Sequence, residues 1–269
     1  MNFDVLRAIA RRELGTSRPL FLTISGAHLY GFPSPDSDFD VRGCHLLPLP
    51  EVLSLKAPRE TRQYTGIEDG REIDFVSHDA GKFFRLMLRK NGYVMEQIFS
   101  PLVVEAHACF EELRDIARGC VTRHIVHHYR GFAESELLSL DDQAEKRVKT
   151  TLYAYRVLLT GIHVLRSGAI EADLRKLLEL RPLERVGELI ERKTTGAEKG
   201  TLPPDDAAWH REALTRLRAE LETAAAESTL PEAPAKADAL DDLLIRLRLN
   251  LESGISNQGA LMPPSPPTG

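Results

Sequence analysis

The chain has 269 residues, 42% of them apolar, with a formal net charge of −5, which allows one large domain or two modest ones and removes any global-charge argument for a nucleic-acid protein. The three cysteines, Cys44, Cys109 and Cys120, have no metal-ligand spacing and read as reduced thiols of a cytoplasmic protein. Residues 1–15 lack the apolar core of a signal peptide, and no uncharged run approaches the length of a membrane span.

Val5, Leu6, Ile9, Ala10 and Leu14 recur at helical spacing with Arg7, Arg11 and Arg12 opposite, which predicts an amphipathic helix over 3–14 packed on a sheet. Residues 19–25 form a short apolar run and predict a buried strand. A second strand is expected over 38–47. Between them, 27–32 can make one helical turn before Pro33 and Pro35 stop it. Pro48 and Pro50 end the second strand, and 51–55 suggests a brief helix. Residues 62–66 and 71–77 flank Glu68-Asp69-Gly70, a hairpin signature. In the second arm Glu72 and Asp74 share one face while Ile73 and Phe75 take the other. Asp79 is placed to cap a helix that buries Phe83, Phe84, Leu86, Met87 and Leu88, with Asn91-Gly92 closing it. Beyond Pro101 the pattern is helical over 103–119, 121–138, 141–167, 171–180, 182–193, 205–227 and 236–253. Connections are expected at 194–204 and at Pro231 and Pro234. The Pro-rich 258–269 is expected to be a disordered tail. The fold class is therefore α+β: a small mixed sheet with flanking helices in 1–100, then a helical domain over 101–257.

The chemistry concentrates in residues 24–43. Asp38 and Asp40 are separated by one residue, so on a strand they share a face. Like charges that close are costly unless a cation lies between them, and hard oxygen ligands suit Mg²⁺ or Mn²⁺. The small residues Ser25, Gly26 and Ala27 allow backbone amides to approach phosphates. Asp74, from a neighbouring strand, supplies a third carboxylate, with Glu72 on the same face as its competitor. Three carboxylates on a small sheet fit metal-assisted phosphoryl or nucleotidyl transfer, in which two divalent ions hold the attacking and leaving oxygens. Taken alone, a D-x-D is more often an ordinary polar strand edge.

Gly26-Ala27, ten intervening residues and Asp38-Phe39-Asp40 resemble the G-S-x10-D-x-D signature of the DNA polymerase β-like nucleotidyltransferase superfamily. Residues 25–43 together with 72–91 are similar to the bacterial and phage predicted nucleotidyltransferases grouped with RNA-repair enzymes. The likeness covers about 18–100 and extends less clearly over 149–168. It implies that 1–100 is a nucleotidyltransferase catalytic domain, that Asp38, Asp40 and Asp74 bind the metal, and that Gly26 and Ala27 contact the triphosphate. Ala27 stands where the family usually has Ser, which leaves Ser25 or Ser37 to supply a hydroxyl, although the Ala27 amide is retained.

Other residues extend this site. Lys149, Tyr153 and Arg156 align along one helix stripe; Lys149 is suited to the leaving pyrophosphate and Tyr153 to a base, and a plain surface stripe is the competing reading. Arg42, two residues from Asp40, can pair with a carboxylate or reach a phosphate. His28 lies inside the phosphate turn. His124, His127 and His128 have metal-like spacing but no evident third ligand. Lys82, Arg85, Arg89 and Lys90, extended by Arg114, Arg118, Arg123 and Arg130, form either a solvated face or a polyanion contact. Trp209 reads as a helix anchor. The expected activity transfers a nucleoside monophosphate from an NTP, ATP first, to an RNA (tRNA-like) end. A protein hydroxyl as acceptor is the alternative, and a non-catalytic nucleotide- or RNA-binding module, favoured by Ala27, is another.

Overall fold

The computed structural model describes residues 3–142, 147–196 and 200–249. The proposed tail at 258–269 and the end of the helix expected to reach residue 253 lie outside them.

The first helix, α1 (Phe3–Leu14), is followed by β1 (Arg18–Ile24), the single-turn α2 (Gly26–Leu29), β2 (Phe39–Leu46) and the short α3 (Leu49–Leu53). The hairpin β3 (Thr61–Glu68) and β4 (Arg71–Asp79) comes next. Its turn holds Asp69 at φ 50° and Gly70 at φ 69°, the paired left-handed conformations of a type I′ turn. The sheet order is β3-β4-β2-β1-β5. β2 and β4 run parallel, and the other neighbours are antiparallel.

α4 (Ala80–Leu88) is capped by Asp79, which accepts from the Gly81 amide at 3.0 Å. Asn91 differs from expectation. It caps α5 (Gly92–Phe99), accepting from the amides of Tyr93 at 3.0 Å and Val94 at 3.3 Å, rather than closing α4. A short polar side chain before a helical run is an N-cap signal as much as a stop. The segment expected to be helical from residue 103 begins instead as a strand, β5 (Val103–Ala106), paired with β1 at the sheet edge. A short apolar run does not distinguish the two states by periodicity.

The remaining helices are α6 (Phe110–Arg118), α7 (Val126–Asp142), α8 (Val148–Ser167), α9 (Leu174–Leu180), α10 (Glu184–Thr195), α11 (Pro204–Glu227) and α12 (Ala237–Arg248). The break expected between the helices 121–138 and 141–167 falls later, with α7 running to Asp142 and α8 starting at Val148. Residues 143–146 lie outside the described set, and Arg147 bridges to Thr201 just before α8 begins.

The alternation of strand side chains sorts them onto two faces. Leu22, Ile24, Val41, Ile73 and Phe75 bury against Leu6, Ile9, Ala10 and Leu14 of α1. On the other side, Leu20 and Phe21, at the register shift of β1, join a core that runs through Phe83, Phe110, Val157 and Leu214 to Leu243. This core crosses the boundary proposed at residue 100. α12 returns to α4 and α6, where Arg248 donates to the Leu47 carbonyl at 3.0 Å and to Asp79 Oδ1 at 2.5 Å.

Candidate active site

Parallel pairing of β2 with β4 places Asp40 opposite Asp74. Because Val41, Ile73 and Phe75 turn toward α1, period-2 alternation sends Asp40, Arg42 and Asp74 to the opposite face. Asp38 lies just before β2.

Gly26 backs Asp40. Its φ is +61°, and a Cβ there would fall 1.8 Å from Asp40 Oδ2. The neighbouring Ser25 amide donates to the Asp40 carbonyl at 2.8 Å, which fixes the turn against the strand. Ser25 is itself fully buried. Ala27 is also buried and belongs to the main core, so its methyl packs with apolar neighbours. His28 stacks on Phe39 with ring centroids 4.2 Å apart, and burial lowers its pKa, which keeps the ring neutral.

Arg42 is the hub. Its Nη2 donates to Asp40 Oδ1 and to Asp74 Oδ2, each at 2.6 Å. Nη1 donates to the carbonyls of Asp74 at 2.6 Å and Val41 at 3.1 Å, and Nε donates to the Tyr93 hydroxyl at 2.7 Å. Asp40 is driven up to about 6, chiefly by burial and further by the negative charges of Asp38 and Asp74, against the opposing pull of Arg42 and Lys149. Lys149, on α8, is near enough to act electrostatically on Asp40.

Asp40 and Gly26 open on a cavity of about 320 Å³ whose wall includes Tyr30, Tyr93, Asn91, His128, Phe132, Tyr153 and Arg156. Tyr153 packs edge-on against Tyr30 and Phe32, with centroids 5.6 Å apart in both cases. Burial raises its hydroxyl pKa, so the group remains a donor. Arg156 is buried in a 2.7 Å ion pair with Glu96 and lies 4.0 Å from the centroid of Tyr30. His128 and Phe132, one turn apart on α7, stack at 5.8 Å.

Ser37 lies apart from this arrangement. Its hydroxyl meets Ser34 Oγ at 3.0 Å and accepts from the Ser34 amide at 2.9 Å, while Lys193 donates to Ser34 at 2.6 Å. Those bonds tie the Pro-Ser loop to α10. Glu72 is exposed at the start of β4. Sequence reasoning missed Tyr93, Asn91 and Phe132. Only the i,i+4 spacing of His128 and Phe132 offered a signal, whereas Tyr93 reaches Arg42 through tertiary packing.

Among the described residues no group of three or more His, Cys, Asp or Glu side chains is arranged to hold a metal ion. His124 instead meets Glu232 at 2.7 Å. The carboxylate pair nevertheless suits a hard cation, because it already accommodates the guanidinium charge between its two members and offers only oxygen donors. Much of the expected basic surface is neutralised: Arg85 pairs with Glu60, Arg114 with Glu111, Arg118 with Asp115, Arg123 with Glu232 and Arg130 with Glu222. Arg89 and Lys90 are exposed. Trp209 is half-buried beneath Arg185, whose guanidinium lies 4.5 Å from the ring centroid.

A five-stranded mixed sheet with carboxylates in register on adjacent parallel strands, one of them packed on a glycine turn, is the arrangement that the resemblance to nucleotidyltransferases implies. The chain belongs to the RNA repair pathway DNA polymerase beta family, whose profile matches residues 3–246. An uncharacterised protein of Methanocaldococcus jannaschii is 32% identical over 161 residues, covering 60% of this chain and 66% of that protein. The match thus spans just under two thirds of the archaeal relative. The uncharacterised YcgL protein of Bacillus subtilis is 27% identical over 182 residues, 65% of this chain and 69% of that one. A solved nucleotidyltransferase-like protein from Exiguobacterium sibiricum aligns over 93% of this chain and 88% of its own, with 11% identity and a TM-score of 0.33. Among the described residues no helix is long and apolar enough to cross a membrane.

Proposed function

We propose that this chain is a Mg²⁺- or Mn²⁺-dependent enzyme that transfers a nucleoside monophosphate from an NTP, ATP in the first instance, to the hydroxyl of an RNA end. The observation that carries this reading is Asp40, in register with Asp74 and packed on Gly26, lining an aromatic cavity of about 320 Å³. The RNA acceptor rests on the description of the family.

Asp38, Asp40 and Asp74 would hold the metal, which when bound supplies charge stabilisation at the phosphoryl oxygens and acidifies the acceptor hydroxyl. The acceptor oxygen forms a bond to the α-phosphorus as the bond to pyrophosphate breaks. Asp74 would stand beside the acceptor hydroxyl and ease the loss of its proton. Lys149 offsets charge on the departing pyrophosphate. Gly26 and Ala27 present backbone to the phosphates without a side chain in the way, and Ser25 holds that turn to β2. Tyr153, with its protonated hydroxyl, and His128 and Phe132 enclose the nucleoside.

The test incubates the protein with α-labelled NTPs and Mg²⁺ or Mn²⁺, offering RNA in one arm and a protein extract in the other. Label in RNA is expected, and label in protein alone would replace the RNA acceptor by a protein hydroxyl. Absence of transfer to either would refute the enzymatic reading. The double variant Asp38→Ala/Asp40→Ala is expected to lose transfer while keeping its melting temperature, since it removes like charges that repel in the metal-free protein. An unchanged rate in that variant would rule out the assigned roles.

A further inference from the structure

We propose that Arg42 is the resident counter-ion of the site, occupying one oxygen each of Asp40 and Asp74 so that a divalent cation binds there tightly only when it arrives with a nucleotide triphosphate. This rests on the metal-site reading above and adds an order of binding to it.

A guanidinium has five N–H donors in a rigid plane, and the observed bonds of Arg42 use that full capacity. Nη2 spans the two carboxylates at 2.6 Å each. Nε and Nη1 are fastened to groups with no reason to move, namely the Tyr93 hydroxyl and the backbone carbonyls of Val41 and Asp74. The side chain is nine-tenths buried, with 9% of its surface exposed. Swinging it aside would break the three anchoring bonds and strand buried carbonyls.

A cation arriving alone therefore meets carboxylates already shared with a fixed positive charge. Asp38 adds attraction and Lys149 subtracts from it. A triphosphate changes the balance, because it brings several negative charges and its own oxygen ligands to the same cation. Asp40 Oδ2 and Asp74 Oδ1, the two oxygens outside the Arg42 bridge, remain to receive that complex. A lysine would not reproduce this, since an ammonium is a point charge without the planar fork.

The experiment titrates Mn²⁺ into the full chain and follows free Mn²⁺ by its electron paramagnetic resonance signal, with and without a non-hydrolysable ATP analogue. Wild type should bind Mn²⁺ weakly alone and much more tightly with the analogue. Arg42→Gln should bind Mn²⁺ alone at least about tenfold more tightly than wild type, from the loss of one nearby positive charge, and should gain less from the analogue. Tyr93→Phe removes one anchor and leaves the charge, so it should shift Mn²⁺ affinity in the same direction by less, and it serves if Arg42→Gln does not fold. Equal or weaker Mn²⁺ binding by Arg42→Gln, or by Tyr93→Phe in its place, would overturn the role of Arg42 and leave the metal site standing. No Mn²⁺ binding by any form, even with the analogue, would overturn the metal-site reading and this inference with it.

Discussion

Gly26 makes a stringent demand, because its left-handed φ and the 1.8 Å that a Cβ there would leave to Asp40 Oδ2 both exclude a side chain. Gly26→Ala should lower stability by about 1–3 kcal/mol and displace the Asp40 carboxylate, with transfer lost as well. Thermal melts and the labelled-NTP assay read the two effects separately. Asp40 carries a pH signature. Its folded pKa of about 6 lies above its ordinary value of 3.8, so between those limits the native state keeps a proton that the unfolded chain has released. Its contribution to stability is therefore present below about pH 4 and lost as pH rises through about 6. Relative to Asp40→Asn, wild type should lose about 1–3 kcal/mol across that window and then level off, as denaturant titrations from pH 4 to 7 would show. A difference that stays flat with pH would contradict the assignment. The glycine turn and a carboxylate strand beside Asp40 were legible in the sequence, the first from small residues after an apolar run and the second from the alternation of 72–76. The fivefold engagement of Arg42 was not, because it depends on β2 and β4 lying parallel in one register.

Between elements, the buried Glu96 and Arg156 pair joins α5 to α8 at the back of the cavity, with side chains only 1% and 3% exposed. Neither charge has water to turn to. Arg156→Met should therefore cost about 3–5 kcal/mol by leaving Glu96 uncompensated. The double variant Glu96→Gln/Arg156→Met should recover most of that loss, measured by urea unfolding; a double variant no more stable than the single would deny the pairing its role. Helical spacing revealed the stripe of Lys149, Tyr153 and Arg156, but not that its last member is buried whereas Lys149 is only half-buried. The hairpin was readable from Asp69-Gly70, whose backbone conformation those residues favour. β5 was hidden because four residues are too few to display a period, and its strand state comes from the open edge of β1.

Across the whole molecule, the continuous core from Leu20 to Leu247 favours one cooperative unit over separate catalytic and helical domains. Leu243, fully buried on α12, tests this from the far end of the chain. Leu243→Ala should cost about 2–5 kcal/mol and move the unfolding midpoint equally for helical circular dichroism and for a fluorescent probe on β3. Two separated transitions would establish independent domains instead. Sequence pattern located nearly every helix of the second half but not the return of α12, since a periodic apolar face specifies that it will be buried and not against what.

That return has a consequence in time. Arg248 holds Asp79, the last residue of the strand that carries Asp74, across 169 residues of chain. During synthesis at about 5–20 residues per second, roughly 8–34 s separate the appearance of these two partners. Asp74 is thus made well before Arg248, whose bond secures the end of its strand.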